Sequence, residues 1–184
     1  MEGPQKARFE TRSSAHLSFL PGAPARSFSG ANVSTARRSP GMKLPPINLR
    51  RGDCQELEAF LSERIYEFNS KATGYFDGES FGAVQNDDSG NVVGGVTGYT
   101  WGGCCYVSYL WVAEDHRGQG VGTALLGAVE TNAKDRGCTI AFVSSHSFQS
   151  PGFYTRMGYE QQASISDHPV GHSSVLLAKR LTQV

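Results

Sequence analysis

The segment from Arg117 to Thr123 constrains this chain most, because it separates a strand pattern from a helix pattern. Residues 105–112 before it are rich in β-branched and aromatic side chains, which predicts a strand. The residues after it place apolar side chains at helical spacing until Gly137. A strand, a glycine-rich loop and a helix in this order present free backbone N–H groups where the helix dipole favours an anion. The segment therefore predicts a phosphate-binding loop.

The loop fails to match two common phosphate-binding patterns and matches a third. A P-loop ends in Gly-Lys-Ser/Thr, which this chain lacks. The dinucleotide fingerprint requires a third glycine, where this chain has Thr123. The pattern Arg/Gln-x-x-Gly-x-Gly/Ala is matched by Arg117, Gly120 and Gly122. At these three positions the loop resembles the pyrophosphate loop of the GNAT superfamily, the acetyl-CoA-dependent N-acetyltransferases.

A second segment strengthens the resemblance. Residues 153–159 are similar to that family's Phe-Tyr-x-x-x-Gly-Phe segment, which lies on a short helix. Pro151 is typical of a first helical turn, and Gly158 is typical of the position just after a helix. The resemblance extends over about residues 47–181.

The resemblance implies an α/β GNAT fold. Its central sheet is mixed but mostly antiparallel, has about six or seven strands, is flanked by helices and is splayed between strands four and five. Counted from a first strand at residues 47–50, strands four and five are residues 105–112 and 139–143. The other strands are expected at residues 80–84, 92–100, 159–163 and 175–181.

A helix is expected to follow the first strand. Asp53 and Glu56 form a pattern similar to a capping box, which favours a helix start there. The helix then carries one apolar side, made of Leu57, Phe60, Leu61, Ile65 and Phe68.

Residues 1–41 differ in composition from residues 42–184, which form the expected N-acetyltransferase domain. The first segment is rich in Ser, Arg, Gly, Pro and Ala, which predicts a disordered leader. Two interpretations remain open: a leader similar to an organelle transit peptide, or a start placed too early, with Met42 as the natural one. We favour the second, because domains of this family begin shortly before the first strand.

The charge is divided between the two parts. Residues 1–41 hold six basic and two acidic residues, giving +4, whereas residues 42–184 hold eleven basic and fifteen acidic residues, giving −4. An acidic domain attracts a cationic amine, and the same charge serves solubility equally well. The negative net charge of residues 42–184 argues against a nucleic-acid partner. No segment predicts a secretion signal or a membrane span.

The four cysteines include the adjacent pair Cys104 and Cys105, which disfavours a disulfide framework. We therefore expect reduced thiols and a cytoplasmic protein. The spacing of cysteine and histidine predicts no metal site, because no Cys-x-x-Cys is present.

The resemblance implies where acetyl-CoA binds. The pyrophosphate is expected on the amides from Gly118 to Thr123, with the positive charge of Arg117 beside it. The pantetheine is expected to pair with backbone near Trp111 and Val112, as an added strand would. Ser147 stands where many members have Asn. The predicted cofactor-binding residues are thus Trp111, Val112, Arg117, Gly118, Gln119, Gly120, Val121, Gly122, Thr123 and Ser147.

The resemblance also implies a direct attack of an amine on the acetyl group, with Tyr154 as the acid that protonates the departing thiolate. The base is less evident. The strand face of Val112, extended by alternation, carries Tyr106 and Ser108 but no carboxylate. Tyr106 is therefore a candidate to hold a water, and Glu114 is the nearest acid. Further candidates are Asp77, Glu79 and the loop histidine His172.

The sequence thus predicts an acetyl-CoA-dependent N-acetyltransferase acting on a primary amine, most simply that of a small molecule. One alternative is acetylation of a protein N-terminus or lysine. Another is a non-catalytic domain that binds or senses acyl-CoA. The protein could be a homodimer, but no segment of the sequence predicts a subunit interface.

Overall fold

The computed structural model describes residues 46–49 and 51–181, and one mixed sheet of six strands lies at the centre of this part of the chain. The helices and strands are, in chain order, α1 (Gln55–Thr73), β1 (Glu79–Asn86), β2 (Val92–Trp101), β3 (Cys104–Val112), α2 (Val121–Asp135), β4 (Ile140–His146), α3 (Pro151–Arg156), β5 (Glu160–Ser166) and β6 (Ser173–Arg180). The strand order across the sheet is β1-β2-β3-β4-β6-β5. The predictions for residues 1–41 and for a start at Met42 lie outside the described residues.

The predicted α/β fold is confirmed, with one strand fewer at its beginning. Residues 47–49 belong to no strand, and Arg50 is outside the described residues. Ile47 and Leu49 are 99% and 83% exposed, so no burial stabilises an extended segment there. The predicted fourth and fifth strands are consequently β3 and β4.

β1 and β2, which lie at two of the predicted strands, form an antiparallel hairpin with its turn between Asn86 and Val92. The Asp87 carboxylate holds the turn by accepting hydrogen bonds from the N–H groups of Ser89 and Asn91, at 2.9 and 2.8 Å. The Asn91 side chain donates to the same carboxylate, and these hydrogen bonds lower the pKa of Asp87.

The main core lies between the sheet and α2. The helix buries Leu125, Leu126, Val129 and Ala133 against strand residues such as Val107. α3 adds Tyr154 to the same core. Because α2 starts directly after β3 and packs over it, the loop that joins them is fixed at the C-terminal end of β3.

The predicted helix α1 forms, but its apolar side is not buried among the described residues. Leu57, Phe60, Leu61, Ile65 and Phe68 are 38% to 72% exposed. The end of the helix is held by buried Ser70 and by the hydroxyl of Tyr66, which accepts a hydrogen bond from Gly78 N–H at 3.1 Å. At its start, Asp53 accepts a hydrogen bond from Gln55 N–H at 3.0 Å. Among the described helices, none is long and apolar enough to cross a membrane.

Candidate active site

The sheet opens between β3 and β4, as predicted. The two strands are parallel and pair over four residues each, from Cys104↔Ile140 to Val107↔Val143. Beyond that point β3 continues to pair with β2 as far as Val112, and β4 continues to pair with β6 as far as His146. Each strand therefore follows its outer neighbour, and a gap separates the two strand ends.

A β-bulge at Ser108 changes which side chains of β3 share a face. Tyr109 pairs with Thr97 and Val107 pairs with Gly98, so Ser108 is an extra residue. The alternation expected for this strand is therefore wrong: Tyr106 lies on the face opposite to Val112.

The two faces of the sheet differ in what covers them. The core face, under α2 and α3, carries Val107 of β3 and Val143 of β4. The open face carries Tyr106 of β3, whose ring lies 4.9 Å from that of Phe142 of β4. Because side chains alternate along β4, Ser144 and His146 share the open face with Phe142.

A cavity of about 980 Å³ fills the gap and is lined from both faces. Tyr154 and Val143 line it from the core face, and Trp111 and His146 line it from the open face. The gap thus forms a passage through the sheet rather than a pocket on one side. Of the predicted site residues, the cavity brings together Trp111, Val112, Arg117, Gly118, Gly120, Gly122, Thr123 and Tyr154.

The phosphate loop ends in a left-handed turn that starts α2. Gly120, the residue before the helix, has φ of 87°, a conformation that favours glycine. Ala124 N–H makes the first helical hydrogen bond, to Gly120 O at 2.9 Å. The N–H groups of the three preceding residues, 121–123, therefore come before the helical ladder, and no side chain caps them. This end of the cavity suits an anion.

The other loop residues hold the loop in place. Arg117 lines the cavity, and its Nε donates to the Val112 carbonyl oxygen at 3.1 Å, which fixes a positive charge beside the end of β3. Gln119 and Val121 do not line the cavity. Gln119 donates to the Asp115 carbonyl oxygen at 2.7 Å, and Val121 packs against the core.

Tyr154 lies on α3, where the cavity meets the core. Its side chain is 7% exposed, and burial raises the pKa of the phenol to about 12. The group therefore keeps its proton throughout the neutral range and is available as a proton donor. A Cβ at Gly122 would lie 3.4 Å from Phe153, the neighbour of Tyr154, so the phosphate loop and α3 are in close contact.

The remaining predicted residues do not line the cavity. Tyr106 is buried between Tyr99 and Phe142, at ring distances of 5.4 and 4.9 Å. Glu114 is exposed at the start of a short 3₁₀ helix. Ser147 joins the end of β4 to β6, since its hydroxyl accepts a hydrogen bond from Ser173 N–H at 3.1 Å.

Two acidic candidates, Asp77 just before β1 and Glu79 as its first residue, are occupied by structural contacts. Glu79 forms an ion pair with Arg136, and Asp77 accepts a hydrogen bond from Gly102 N–H at 3.0 Å. No carboxylate of the described residues lines the cavity. Nor do three His, Cys, Asp or Glu side chains of this part of the chain cluster as a metal site would need.

Sequence reasoning missed several cavity residues, notably His116, His146, Gln149 and Arg156. His116 directly precedes Arg117, the first residue of the phosphate motif, so the motif could have predicted that His116 lies near the cavity. His146 and Gln149 are brought to the cavity by the end of β4 and the turn after it, which no local pattern specifies. Arg156 lies within the segment 153–159, at a position that the family pattern leaves variable.

Comparison with known proteins assigns the family. Residues 48–159 match the model of the Acetyltransferase (GNAT) family. The chain is 40% identical over 95 residues to Blasticidin-S acetyltransferase of Streptomyces morookaense, covering 51% of this chain and 70% of that protein. It is 30% identical over 125 residues to the acetyltransferase Atu2258 of Agrobacterium fabrum, covering 68% of this chain and 91% of that protein.

A solved structure agrees with this assignment. The crystal structure of an acetyltransferase from Bacillus cereus has a TM-score of 0.62 at 32% identity, covering 73% of this chain and 98% of that one. The chain therefore belongs to the GNAT family of acetyltransferases. GNAT acetyltransferases use acetyl-CoA.

Proposed function

We propose that this protein transfers the acetyl group of acetyl-CoA to a primary amine of a small molecule by direct attack. The observation that carries this proposal is the passage through the sheet. The glycine-rich loop, whose free N–H groups at the start of α2 suit an anion, lies at one end of it, and a protonated phenol, Tyr154, lines its core face.

The residues present fit acetyl-CoA. The free N–H groups at the start of α2 and the charge of Arg117 would hold the pyrophosphate. The unpaired edges of β3 and β4 leave room for the pantetheine to lie between the strands. Bound acetyl-CoA supplies an activated acetyl group as a thioester.

Tyr154 is the proton donor in this proposal. The phenol, whose pKa burial raises to about 12, carries its proton when the thiolate departs, and its O–H is the group that would donate to the sulfur. The amine is expected to approach from the open face, where Tyr109 and Trp111 are 52% and 54% exposed at the mouth of the passage. Aromatic faces attract cations, which suits an ammonium group.

The small-molecule acceptor is supported by the similarity to Blasticidin-S acetyltransferase, a relative named for a small molecule. The protein N-terminal or lysine acetyltransferase, and the non-catalytic acyl-CoA sensor, remain the alternatives. The test combines calorimetric titration of acetyl-CoA with assays of CoA release, using blasticidin S, polyamines, amino-acid derivatives and peptides.

Saturable binding with acetylation of a small amine, identified by mass spectrometry, is the expected result. Acetylation of peptides alone would favour the protein acetyltransferase. Binding without turnover of any amine would favour the sensor. Absence of binding to folded protein would overturn the proposal.

A further inference from the structure

His146 lies at the end of β4 and lines the cavity from the open face. Its ring Nδ1 is 3.0 Å from the backbone carbonyl oxygen of His168. A carbonyl oxygen only accepts hydrogen bonds, so Nδ1 must carry the hydrogen. In the neutral ring the lone pair is therefore on Nε2. This contact selects the tautomer that leaves Nε2 as a proton acceptor.

The ring of His146 is held from several sides. The ring of Phe148 is stacked on it, with centroids 5.2 Å apart and planes 7° from parallel. The ring of His168 meets it edge-on at 5.1 Å. The backbone N–H of His146 donates to Gln149 Oε1 at 2.8 Å. A proton acceptor that must meet its substrate in one geometry benefits from such support.

His146 and Tyr154 lie on opposite sides of the same passage. Tyr154 lines it from the core face, and His146 lines it from the open face, where the amine is expected. No carboxylate of the described residues lines the cavity, so no Asp or Glu side chain is in place to act as the base there. His116 is a second cavity histidine, but it lies next to Arg117 in the phosphate loop, and its buried Nδ1 has no hydrogen-bond partner among the described residues.

We propose that His146 is the catalytic base, and that its Nε2 accepts the proton which the acceptor ammonium must lose before attack. This role rests on the proposed acetylation of an amine. An amine is mostly protonated near neutral pH, so its nitrogen lone pair must first be freed.

His146 takes one proton from the ammonium group, and the freed nitrogen forms a bond to the acetyl carbon while the carbon–sulfur bond breaks. Tyr154 protonates the departing sulfur and regains a proton from the nitrogen. His146 releases its proton to solvent, so an ammonium and a thioester give an amide, a thiol and one proton.

The test replaces His146 with Gln, a polar side chain whose amide cannot accept a proton near neutral pH. The kcat of His146→Gln is expected to fall by roughly 10²- to 10⁴-fold, with unchanged acetyl-CoA affinity. We expect the kcat of the wild type to decline at acidic pH, where a protonated base accepts no further proton, and the kcat of His146→Gln to show no such decline.

Other titratable or charged groups surround His146, and the pH profile must be assigned against them. They are His168 and His172 from the loop between β5 and β6, Tyr109 from β3, Tyr154 and Arg156 from α3, and His116 and Arg117 across the cavity. The matched control is His172→Gln. His172 touches Phe148 at a ring distance of 5.0 Å but does not line the cavity. This variant is expected to keep both the wild-type kcat and its acidic limb.

A second readout does not depend on acetyl transfer. NMR of the labelled histidine ring nitrogens is expected to show neutral His146 with its hydrogen on Nδ1. His168→Gln keeps the backbone carbonyl and is expected to keep this tautomer. A hydrogen on Nε2 would overturn the proposal.

An active wild type whose kcat and acidic limb survive in His146→Gln would also overturn this role, while leaving the proposed function standing. Failure of the wild type to acetylate any amine would instead overturn the proposed function, and with it the role of His146.

Discussion

Val107 and Val143 are the last residues that pair between β3 and β4, and the cavity opens directly beyond them. Both side chains are buried in the core, at 0% and 2% exposure. The parallel strands are thus held together at one end by packing, and their free ends follow β2 and β6. The gap between the strand ends therefore follows from the pairing of the sheet itself.

The phosphate loop is tested by Gly120→Glu. At φ of 87° a side chain is strained, and the added carboxylate would meet the pyrophosphate. We expect a stability loss of about 1–2 kcal/mol from the left-handed backbone. We also expect a loss of measurable acetyl-CoA binding by calorimetry.

Gly90→Glu is the matched control for this variant. Gly90 has φ of 85° and lies in the hairpin turn, and a Cβ added there would meet no other atom within 4 Å, as at Gly120. It is expected to show a similar stability loss but normal acetyl-CoA affinity. If Gly120→Glu bound acetyl-CoA as tightly as Gly90→Glu, the glycine-rich loop would not be part of the acetyl-CoA site.

Most of the fold was predictable because its signals are local. The glycine-rich loop between Val112 and Val121 has a strand pattern before it and a helix pattern after it, and both elements form as predicted. The hairpin turn around Asp87 was marked by its polar residues and Gly90. The apolar side of α1 predicted the helix correctly but carried no information on what that side contacts.

The faces of β3 were not predictable from alternation, because a bulge interrupts it. The extra residue, Ser108, looks like any strand residue. The signal was on the partner strand, because a Cβ at Gly98 would collide with the Tyr106 carbonyl oxygen. A glycine inside a strand pattern is typical of such a close approach. Only the pairing of β2 with β3 shows which residue is extra.

The proposed base was not predictable for a different reason. The tautomer of His146 depends on a carbonyl 22 residues later in the chain, at His168. That contact exists because β4, β5 and β6 bring the strand end and the loop together. A lone histidine after a strand carries no such information in the sequence.

The stability of the α2–sheet packing is tested at one ion pair. Lys179 Nζ lies 2.7 Å from Glu130 Oε2, and the side chains are 26% and 12% exposed. Lys179→Met would leave the Glu130 carboxylate largely buried without its cation. We expect a loss of about 3 kcal/mol in the free energy of unfolding, measured by urea denaturation.

The double variant Glu130→Gln with Lys179→Met is the control, because it removes both charges. It is expected to recover most of that loss. Acetyl-CoA affinity should be unchanged in both proteins, since neither residue lines the cavity. Equal destabilisation of the single and double variants would show that packing rather than the charge is responsible.

The thiols are expected to differ in reactivity. Burial raises the pKa of Cys105 to about 12 and also raises that of Cys138, so both have less reactive thiolate at a given pH. Cys54 is half-buried. In native protein at pH 8, iodoacetamide should label Cys54 and spare Cys105 and Cys138, as peptide mass spectrometry would show. Labelling of Cys105 as fast as Cys54 would contradict its burial.

The role of Tyr154 as proton donor is tested by Tyr154→Phe. The variant keeps the ring in the core and removes the proton that the thiolate would receive. We expect kcat to fall by roughly 10²-fold or more, with unchanged acetyl-CoA affinity. Because burial raises the pKa of the phenol to about 12, the wild-type donor loses its proton only as the pH rises towards that value. Deprotonation of Tyr154 should therefore cause no loss of wild-type activity between pH 7 and pH 10.

Tyr159→Phe is the matched control, because Tyr159 is also buried and its ring lies 5.8 Å from that of Tyr154. It does not line the cavity, so kcat should be preserved. Both variants must be measured under single-turnover conditions, where chemistry rather than product release determines the rate. A Tyr154→Phe protein that matches Tyr159→Phe in this assay would exclude the phenol as the donor and leave protonation of the sulfur to solvent in the passage.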